Sequence, residues 1–461
     1  MTEVSRYISP MPARRAETFA WHTRPGALQR LLPPWQSVKL LHNDASVAVG
    51  SRVEMRMGLG PLSLAWTARH RELDPGRSFV DVAERGPFAS WEHRHSVRDA
   101  LATDPAGLGA SVLEDEVRWG LPLHALLQPL LGGWVQAEID RMFSFRHART
   151  AEDLRRHAEF AAISPLRVGI TGASGGIGGQ LEALLQTGGH TVVRIGRRPG
   201  EVAFDAARGT LDSEGLEGLD ALIHLAGAPI ATRWTARARA EIRNSRVVGT
   251  STLARALAGL RKPPAVWISA SAIGFYGDRP DGDVDEAAGP GEGFAAEVCR
   301  RWEAAAAPAR SAGIRVVHPR FGVVLDPRHG ALAEMLPLFR AGLGGRLGEG
   351  RQGVSWIAID DALYALLTLL HDPRAQGPIN VVAPAATNQA ELAAALGRVL
   401  GRPTILPTPA WALRLALGEM AEELILGGAI VRPTALQALG FRFSAPDLEP
   451  ALRHLLGHRA R

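Results

Sequence analysis

The chain has 461 residues, of which 46% are hydrophobic and 21% charged, a composition typical of folded domains. At roughly 150 residues per domain, this length predicts two or three domains. A single cysteine excludes an intrachain disulfide, and no apolar run approaches the ~18 residues of a membrane span, so we expect a cytoplasmic protein. Basic and acidic residues alternate and leave a net charge of only +5, so nucleic-acid binding is not indicated.

Residues 1–160 carry the pattern of an antiparallel sheet followed by a long helix. Arg52–Met57 alternates polar and apolar side chains, which predicts a strand with one face in water. Similar segments follow, several of them separated by turns rich in proline, glycine and aspartate: Leu64–Arg71, Ser78–Glu84, Ser90–Val97 and Ser111–Trp119. The predicted helix carries one apolar stripe, formed by Leu131, Trp134, Val135, Ile139, Met142 and Phe143. This order of elements resembles the helix-grip fold of START and polyketide-cyclase-like (SRPBCC) ligand-binding proteins.

Two of these strands place aromatic and histidine side chains on one face. Trp91, His93 and His95 share one strand, and Trp66 and His70 share another. Three interpretations are open: a cavity for an apolar or aromatic ligand, a metal site, or the wall of a half-buried core. A metal site needs further ligands, and the local spacing offers no cluster of carboxylates or cysteines. We therefore predict no metal site.

After the basic, polar stretch Arg146–Glu159, the pattern changes to short apolar runs that alternate with helical segments up to about Ala383. This alternation is typical of βαβ units and of a parallel sheet. The remaining residues are rich in predicted helix, at Glu391–Leu400, Trp411–Leu426 and Pro433–Leu439. We predict an α/β fold with a Rossmann-like doubly wound parallel sheet and a small helical C-terminal domain, preceded by an α+β helix-grip domain. The predicted domains are 1–160, 166–383 and 384–461.

A glycine-rich loop follows the first strand of the second domain. Arg167–Thr171 runs directly into three glycines spaced as Gly-x-x-Gly-x-x-Gly. The first glycine permits a tight turn, the second lets backbone N–H groups approach a pyrophosphate, and the third packs helix against strand. The positive end of the next helix then faces the phosphates. The predicted cofactor contacts in this loop are Gly172, Ser174, Gly175, Gly176, Ile177 and Gly178.

Two arginines stand where the second strand ends. An NAD site places an acidic side chain there for the ribose 2′-hydroxyl, whereas Arg197 and Arg198 suit a 2′-phosphate through paired hydrogen bonds. We therefore predict NADP as the cofactor, although either arginine alone would also be stable in solvent. Ala226 and Gly227 follow the strand at 221–225, and their small size lets the adenosine side of a dinucleotide lie against the backbone.

Residues 166 to about 455 resemble the atypical, extended branch of the short-chain dehydrogenase/reductase superfamily. Within it they are most similar to the epimerase-like group also labelled sugar-nucleotide epimerase or SulA-like cell-division inhibitor. Fusion to an amino-terminal helix-grip domain resembles a known architecture of this group. The motifs that carry the resemblance are His224–Gly227, Ser245–Thr250, Ile268–Gly277, Arg301–Glu303, Gly322–Leu325 and the glycine-rich block Gly342–Asp361.

The resemblance implies a catalytic Tyr-x-x-x-Lys pair, and this chain lacks it. In that pair the lysine lowers the phenol pKa so that the tyrosine exchanges a proton as hydride moves. None of the three tyrosines is followed by lysine four residues later. When the expected helix is aligned on Glu303, Ala295 stands at the position of the tyrosine and Cys299 at the position of the lysine. Cys299 is either a small core residue or a thiolate. Arg246 replaces the asparagine of the superfamily.

The resemblance leaves two candidates for catalysis. Ser271 matches the serine that hydrogen-bonds the substrate oxygen, although a serine at a strand end also satisfies backbone groups. Tyr276 lies in the Tyr-Gly element near the nicotinamide. It acts either as an acid beside an arginine or as a half-buried structural residue. Ser269 and Pro319 are implied as further cofactor contacts.

The glycine-rich segment 342–353 is open to two interpretations, a mobile substrate loop or a packed array of turns. Arg351 and the nearby Trp356 are the predicted substrate contacts, because an arginine on a glycine loop suits an anionic or polar substrate. Asp360 and Asp361 open a helix, and we expect them to serve as its N-cap.

Three functions follow from these features. The first is an NADP-dependent oxidoreductase or epimerase with an unusual proton donor, acting on a small molecule. The second is an NADP-bound sensor or scaffold without catalysis. The third makes the helix-grip domain a carrier of a hydrophobic ligand whose occupancy the NADP domain reads. The sequence does not indicate an oligomeric state.

Overall fold

The computed structural model describes residues 2–59, 62–101, 104 and 110–458. The chain divides into two compact units, one formed by residues 1–165 and 183–190 and the other by residues 166–182 and 191–461. In the described part of the chain, no helix is both long enough and apolar enough to cross a membrane.

The first unit contains a seven-stranded antiparallel sheet with the order β1-β7-β6-β5-β4-β3-β2. Its strands are β1 (Glu3–Met11), β2 (Val38–Asn43), β3 (Arg52–Leu59), β4 (Leu62–Asp74), β5 (Ser78–Arg85), β6 (Ser90–Asp99) and β7 (Ser111–Gly120). Its helices are α1 (Arg15–Thr23), α2 (Ala27–Leu31) and α3 (His124–Ala158). All five predicted strands are present. Strand β1 is not predicted from the sequence, because its inward positions include Ser5, Tyr7 and Ser9, which give no apolar alternation.

Helix α3 is longer than the apolar stripe predicted. Val135, Ile139 and Phe143 are buried against the sheet, whereas Leu131 and Trp134 of the predicted stripe are exposed. The polar stretch after Phe143 continues the helix instead of ending it. Its charged side chains include Asp153, which is buried, so polarity was a poor guide to exposure here.

Fifteen strands belong to the second unit: β8 (Arg167–Thr171), β9 (Thr191–Gly196), β10 (Val202–Asp205), β11 (Thr210–Leu211), β12 (Ala221–His224), β13 (Val266–Ser269), β14 (Ser271–Ala272), β15 (Arg279–Val284), β16 (Arg315–Phe321), β17 (Val323–Leu325), β18 (Gly353–Val354), β19 (Trp356–Ala358), β20 (Gly377–Val381), β21 (Thr387–Asn388) and β22 (Ala429–Val431). Seven of them run parallel in the order β10-β9-β8-β12-β13-β16-β20. This arrangement confirms the predicted doubly wound sheet. The strand order reverses between β8 and β12. In open α/β sheets, ligands bind at the carboxyl ends of the strands beside such a point.

The helices of the chain from residue 176 onward are α4 (Gly176–Thr187), α5 (Ala236–Ala258), α6 (Phe294–Ala304), α7 (Ala307–Ser311), α8 (Gly330–Arg340), α9 (Ile359–His371), α10 (Gln389–Leu400), α11 (Ala410–Leu417), α12 (Glu419–Ala421), α13 (Thr434–Ala438) and α14 (Leu448–Leu456). The predicted single helix 411–426 is broken at Gly418, whose φ of 64° lies in the left-handed region. A π-helical turn, Glu422–Leu426, completes the segment.

Helix α9 is buried along its whole length, as its apolar sequence predicts. The expected capping role of Asp360 and Asp361 is wrong, because the N-cap position is Ala358 and it makes no side-chain cap. The Asp361 carboxylate instead accepts hydrogen bonds from the backbone N–H groups of Ser444 and Ala445, at 2.8 and 2.9 Å. A carboxylate in the first turn of α9 is thus hydrogen-bonded to the backbone of the C-terminal segment.

The first unit provides a test of buried charge. Arg30 and Asp153 form a bidentate pair with N–O distances of 2.6 and 2.8 Å, and both side chains are fully buried. Asp153→Asn removes the carboxylate charge that is paired with the buried guanidinium, so we expect a loss of about 3–5 kcal/mol in the free energy of unfolding, measured in urea at pH 7.

The matched control is Glu17→Gln, which breaks the exposed Arg24–Glu17 pair and should cost less than about 1 kcal/mol. Burial alone would raise the pKa of Asp153, but the charge and hydrogen bonds of Arg30 hold it below its usual value. The pair therefore stabilises the fold above the pKa of the unfolded carboxyl, and the difference between wild type and Asp153→Asn should shrink below about pH 4. Equal losses for the two variants would contradict this account.

Candidate functional site

The glycine loop after β8 has the tight geometry that its spacing predicts. Gly172 has a φ of +73°, and its carbonyl accepts a hydrogen bond from the N–H of Gly175 at 2.9 Å. A Cβ on Gly178 would lie 2.2 Å from that same carbonyl oxygen, so no side chain fits there. Ser174 and Gly175 are exposed at the tip of the loop. The start of α4 therefore offers backbone N–H groups to an anion, as a pyrophosphate cradle requires.

A buried threonine and histidine connect the ends of β8 and β12. The Thr171 hydroxyl lies 2.7 Å from His224 Nδ1 and accepts hydrogen bonds from the N–H groups of Leu225 and Ala226. Burial lowers the pKa of His224 to about 3, so its ring is neutral. These bonds hold Ala226 beside the loop, where a Cβ on Gly172 would lie 2.9 Å from its backbone nitrogen.

Arg197 and Arg198 lie directly beyond β9 and are exposed. By contrast, Arg194 on the same strand pairs with Glu182 at 2.8 Å. Among the described residues, neither Arg197 nor Arg198 forms an ion pair through its side chain. Their guanidinium groups are therefore available to a phosphate at the carboxyl edge of the sheet.

The two candidates for catalysis belong to one hydrogen-bonded network. Arg320 binds the Glu303 carboxylate through two bonds of 2.8 and 2.9 Å and donates a third, of 2.9 Å, to the Tyr276 hydroxyl. The Ser271 hydroxyl donates to Glu303 at 2.7 Å, and the Tyr276 hydroxyl donates to Asn380 at 2.8 Å. The side chain of Tyr276 is 0% exposed. Its burial raises the pKa of the phenol above the ordinary value.

Strand register explains why these groups meet. Ser271 of β14 and Asn380 of β20 are the direct partners of Arg320 on its two neighbouring strands. The Arg320 guanidinium also lies 3.5 Å from the centre of the Phe275 ring, a cation–π contact. The sequence predicts an arginine beside Tyr276, and Arg320 fills that place. It does not predict the contacts of Glu303 or of Asn380. Asn380 lies more than one hundred residues along the chain from Tyr276, and no local pattern marks it.

The positions of the missing Tyr-x-x-x-Lys pair are filled by core residues. Ala295 and Cys299 are both buried on α6, and a Cβ on Gly274 would lie 3.4 Å from the Ala295 methyl and 3.8 Å from the Cys299 sulfur. Burial raises the pKa of the Cys299 thiol to about 11, so it stays protonated at neutral pH. Arg246, in place of the superfamily asparagine, donates a hydrogen bond to the carbonyl of Ala228 at 3.0 Å.

The remaining predicted contacts are divided between core and surface. Ser269 is buried at the end of β13, and its hydroxyl has no hydrogen-bond partner among the described residues. Pro319 is buried within β16. Trp356 is 0% exposed, and its indole N–H donates to the carbonyl of Ala385 at 2.9 Å, so the structure places it in the core. Arg351 is exposed and pairs with Glu349.

The segment 342–353 is a packed array of turns. Gly348 N–H donates to the carbonyl of Thr408, and the carbonyl of Gly350 accepts from Ala390 N–H. A Cβ on Gly345 would lie 2.0 Å from the carbonyl oxygen of Leu406, so this glycine permits the close approach of two backbones. The structure therefore favours the second of the two interpretations.

One histidine near the glycine loop was not anticipated. His329 precedes α8, and a Cβ on Gly176 would lie 2.8 Å from its ring. Asp326 Oδ2 lies 3.3 Å from His329 Nδ1 and accepts a hydrogen bond of 2.8 Å from the side chain of Gln180 on α4. These contacts bring the segment after β17 to the start of α4. No motif around His329 indicated this position.

The sheet order and the glycine loop define a Rossmann-type dinucleotide-binding protein. A sequence profile of the NAD dependent epimerase/dehydratase family matches residues 168–383, and a domain family of unknown function (DUF1731) matches residues 408–455. The epimerase family protein Mb2239 of Mycobacterium bovis is 42% identical over 62% of this chain and 96% of its own length. The chain belongs to the epimerase family.

Two solved structures are similar to this chain. The nucleoside-diphosphate sugar epimerase from Corynebacterium glutamicum is 34% identical, with a TM-score of 0.78 over 99% of this chain and 90% of its own. The human epimerase family protein SDR39U1 (isoform 2), solved with NADPH, is 33% identical, with a TM-score of 0.59 over 63% of this chain and 99% of its own. The second unit thus resembles a protein that holds NADPH, and the C. glutamicum structure extends over nearly the whole chain.

The burial of Cys299 predicts its reactivity. Because its thiol is enclosed and its pKa is about 11, Ellman's reagent at pH 8 should leave the native protein unmodified for hours. After unfolding in guanidinium chloride, the same protein should release one equivalent of chromophore, since the chain has one cysteine. Rapid labelling of the folded protein would show that the thiol is accessible and ionised.

Proposed function

We propose that the second unit binds NADP(H) across the carboxyl ends of β8, β9 and β12. The glycine loop supports this proposal, because its backbone fits a pyrophosphate and has no room for a side chain at Gly178. Arg197 and Arg198, whose side chains form no ion pair within the described part of the chain, support the 2′-phosphate form. The NADPH held by the human relative supports the same choice.

We propose further that the bound nucleotide acts as a ligand, so that the protein is an NADP(H) sensor or scaffold. The observation that carries this is the Tyr276 hydroxyl, which is fully buried and bonded to both Asn380 and Arg320. Bound NADPH supplies a hydride, but a phenol with a raised pKa and no exposed surface does not exchange a proton with a substrate. The buried Ser271 hydroxyl is likewise engaged by Glu303.

A second candidate is a nucleoside-diphosphate sugar epimerase. The similarity to the C. glutamicum protein over nearly the whole chain favours it. The two candidates are separated by incubating the NADP-loaded protein with nucleoside-diphosphate sugars and resolving the epimers by chromatography. Turnover above the protein-free rate supports the epimerase, and an unchanged sugar with retained nucleotide supports the sensor.

The cofactor choice predicts a selective loss of affinity. Replacing Arg197 and Arg198 together with alanine should weaken NADPH binding by about 10- to 100-fold, because charge-assisted hydrogen bonds to the 2′-phosphate are lost. NADH lacks that phosphate, so its affinity should change by less than about 3-fold. The control is Arg261→Ala, an exposed arginine before the amino end of β13. Calorimetry that finds equal weakening of both nucleotides would refute the assignment.

The role of Tyr276 predicts a loss of stability without a loss of binding. Tyr276→Phe removes the hydrogen bonds that the phenol makes to Asn380 Oδ1 and from one Arg320 N–H, so the free energy of unfolding should fall by about 1–3 kcal/mol. NADPH affinity, measured by nucleotide fluorescence, should stay within about 2-fold of wild type. If the epimerase assay shows turnover that Tyr276→Phe abolishes while binding persists, Tyr276 acts on substrate and the sensor proposal fails.

We also propose that the first unit is a ligand-binding domain of the helix-grip type. Its seven-stranded antiparallel sheet and the 35-residue helix α3 support this proposal. Side chains of this helix, among them Val135, Ile139 and Phe143, pack with aromatic residues of the sheet.

A further inference from the structure

The first unit contains a buried cluster of histidine and aspartate side chains on β5, β6 and β7. Strand pairing assembles it, because Asp81 is the direct partner of His93 and Asp115 is the direct partner of His95. His147 of α3 reaches the same carboxylate, with its Nε2 atom 2.8 Å from Asp115 Oδ2. The carboxylates that the local sequence around His93 and His95 lacks are thus supplied by the neighbouring strands.

Four of these residues approach one another closely. Asp81 Oδ1 lies 3.4 Å from His93 Nδ1, and Asp115 Oδ1 lies 3.3 Å from His93 Nε2 and 2.6 Å from His95 Nδ1. One donor atom from each of Asp81, His93 and His95 lies within 4.8 Å of the other two. Ligand atoms of a tetrahedral zinc site with bonds of ~2.0–2.1 Å are about 3.3–3.4 Å apart, so the Asp81–His93 spacing suits such a site.

Aligned hydrogen bonds account for only part of this cluster, chiefly the one between His147 and Asp115. His93 Nε2, His95 Nδ1 and Asp115 Oδ1 are buried without a correctly directed hydrogen-bond partner, although they lie at contact distance. Their side chains are at least nine-tenths buried. Buried polar atoms that meet without alignment are costly unless a cation or another group satisfies them. The cluster therefore combines side chains of metal-ligand type with buried contacts around Asp115 that are not aligned as hydrogen bonds.

We propose that Asp81, His93 and His95 bind a divalent transition metal ion of the zinc type. Two imidazoles and a carboxylate are ligands that zinc and similar ions prefer. Three protein ligands leave a fourth position open for water or for a small ligand. Asp81 is the least buried of the three, with 17% of its side chain exposed, so access is from its side.

Asp115 orients the two histidines. It lies beside Nε2 of His93 and Nδ1 of His95, which leaves Nδ1 of His93 and Nε2 of His95 for the metal. Metal-binding histidines commonly place their other nitrogen against a carboxylate in this way. Asp115 is held in turn by His147, whose Nδ1 lies 2.8 Å from the hydroxyl of Ser9. The Phe79 ring stacks on His95 with a centroid distance of 4.4 Å and fixes its orientation.

The test is a titration of the full-length, untagged protein with Co²⁺ after treatment with EDTA. We expect one equivalent to bind with the visible absorption bands of low-coordinate cobalt, and Zn²⁺ to displace it. Asp81→Asn and His95→Gln should abolish the bands. Asp115→Asn should weaken binding by about 10- to 100-fold, as expected for a group that orients ligands.

The matched control is His42→Gln, which removes an exposed histidine paired with Asp44 at 2.8 Å in the same unit and should leave the titration unchanged. Circular dichroism checks the fold of each variant. Because Asp81 is the least buried member, Asp81→Asn decides the question even if the histidine variants do not fold. A wild-type protein that takes up no stoichiometric Co²⁺, or variants that bind as wild type does, would overturn the proposal. NADPH affinity should be unaffected by any of these variants.

Discussion

The buried guanidinium of Arg320 determines the arrangement of side chains at the carboxyl end of β16. A buried charge is costly unless it is paired and fully hydrogen-bonded, and Glu303 on α6 supplies the pairing carboxylate. The remaining donors and acceptors then engage Ser271, Tyr276 and, through Tyr276, Asn380. Ser271, which matches the superfamily's serine, and Tyr276 are each bonded here to one member of this buried ion pair.

The nucleotide side of the same unit is governed by a different constraint, the close approach of backbone to backbone. Gly172 and Gly178 leave no space for a side chain, and Thr171 with His224 fixes the strand ends that flank them. Alanine and cysteine stand at the positions of the proton-delivering pair, at Ala295 and Cys299. The glycine loop depends on main-chain geometry, so it does not require those two side chains.

In the first unit, buried charges play a comparable part. Arg30 with Asp153 joins helix α2 to helix α3, and Asp115 gathers three histidines from β6 and α3. Each of these groups would be expensive to bury alone, and each is compensated by a residue distant in sequence. The interior of this unit therefore contains polar side chains as well as tryptophans. For this reason the apolar stripe on α3 is shorter than the helix itself.

The sequence by itself determined the features that depend on neighbouring residues. Some features depend on only a few consecutive residues, so they can be recognised in the sequence. They are the alternation at Arg52–Met57, the glycine spacing from Gly172 and the two arginines after β9. The absence of a Tyr-x-x-x-Lys pair was equally plain. Only the tertiary structure decided that Tyr276 donates to Asn380 and that Glu303 pairs with Arg320. It also decided that Trp356 is a core residue, and that Asp81 and Asp115 meet His93 and His95. These contacts arise from strand register and helix packing, which join residues far apart in the chain and leave no local periodicity.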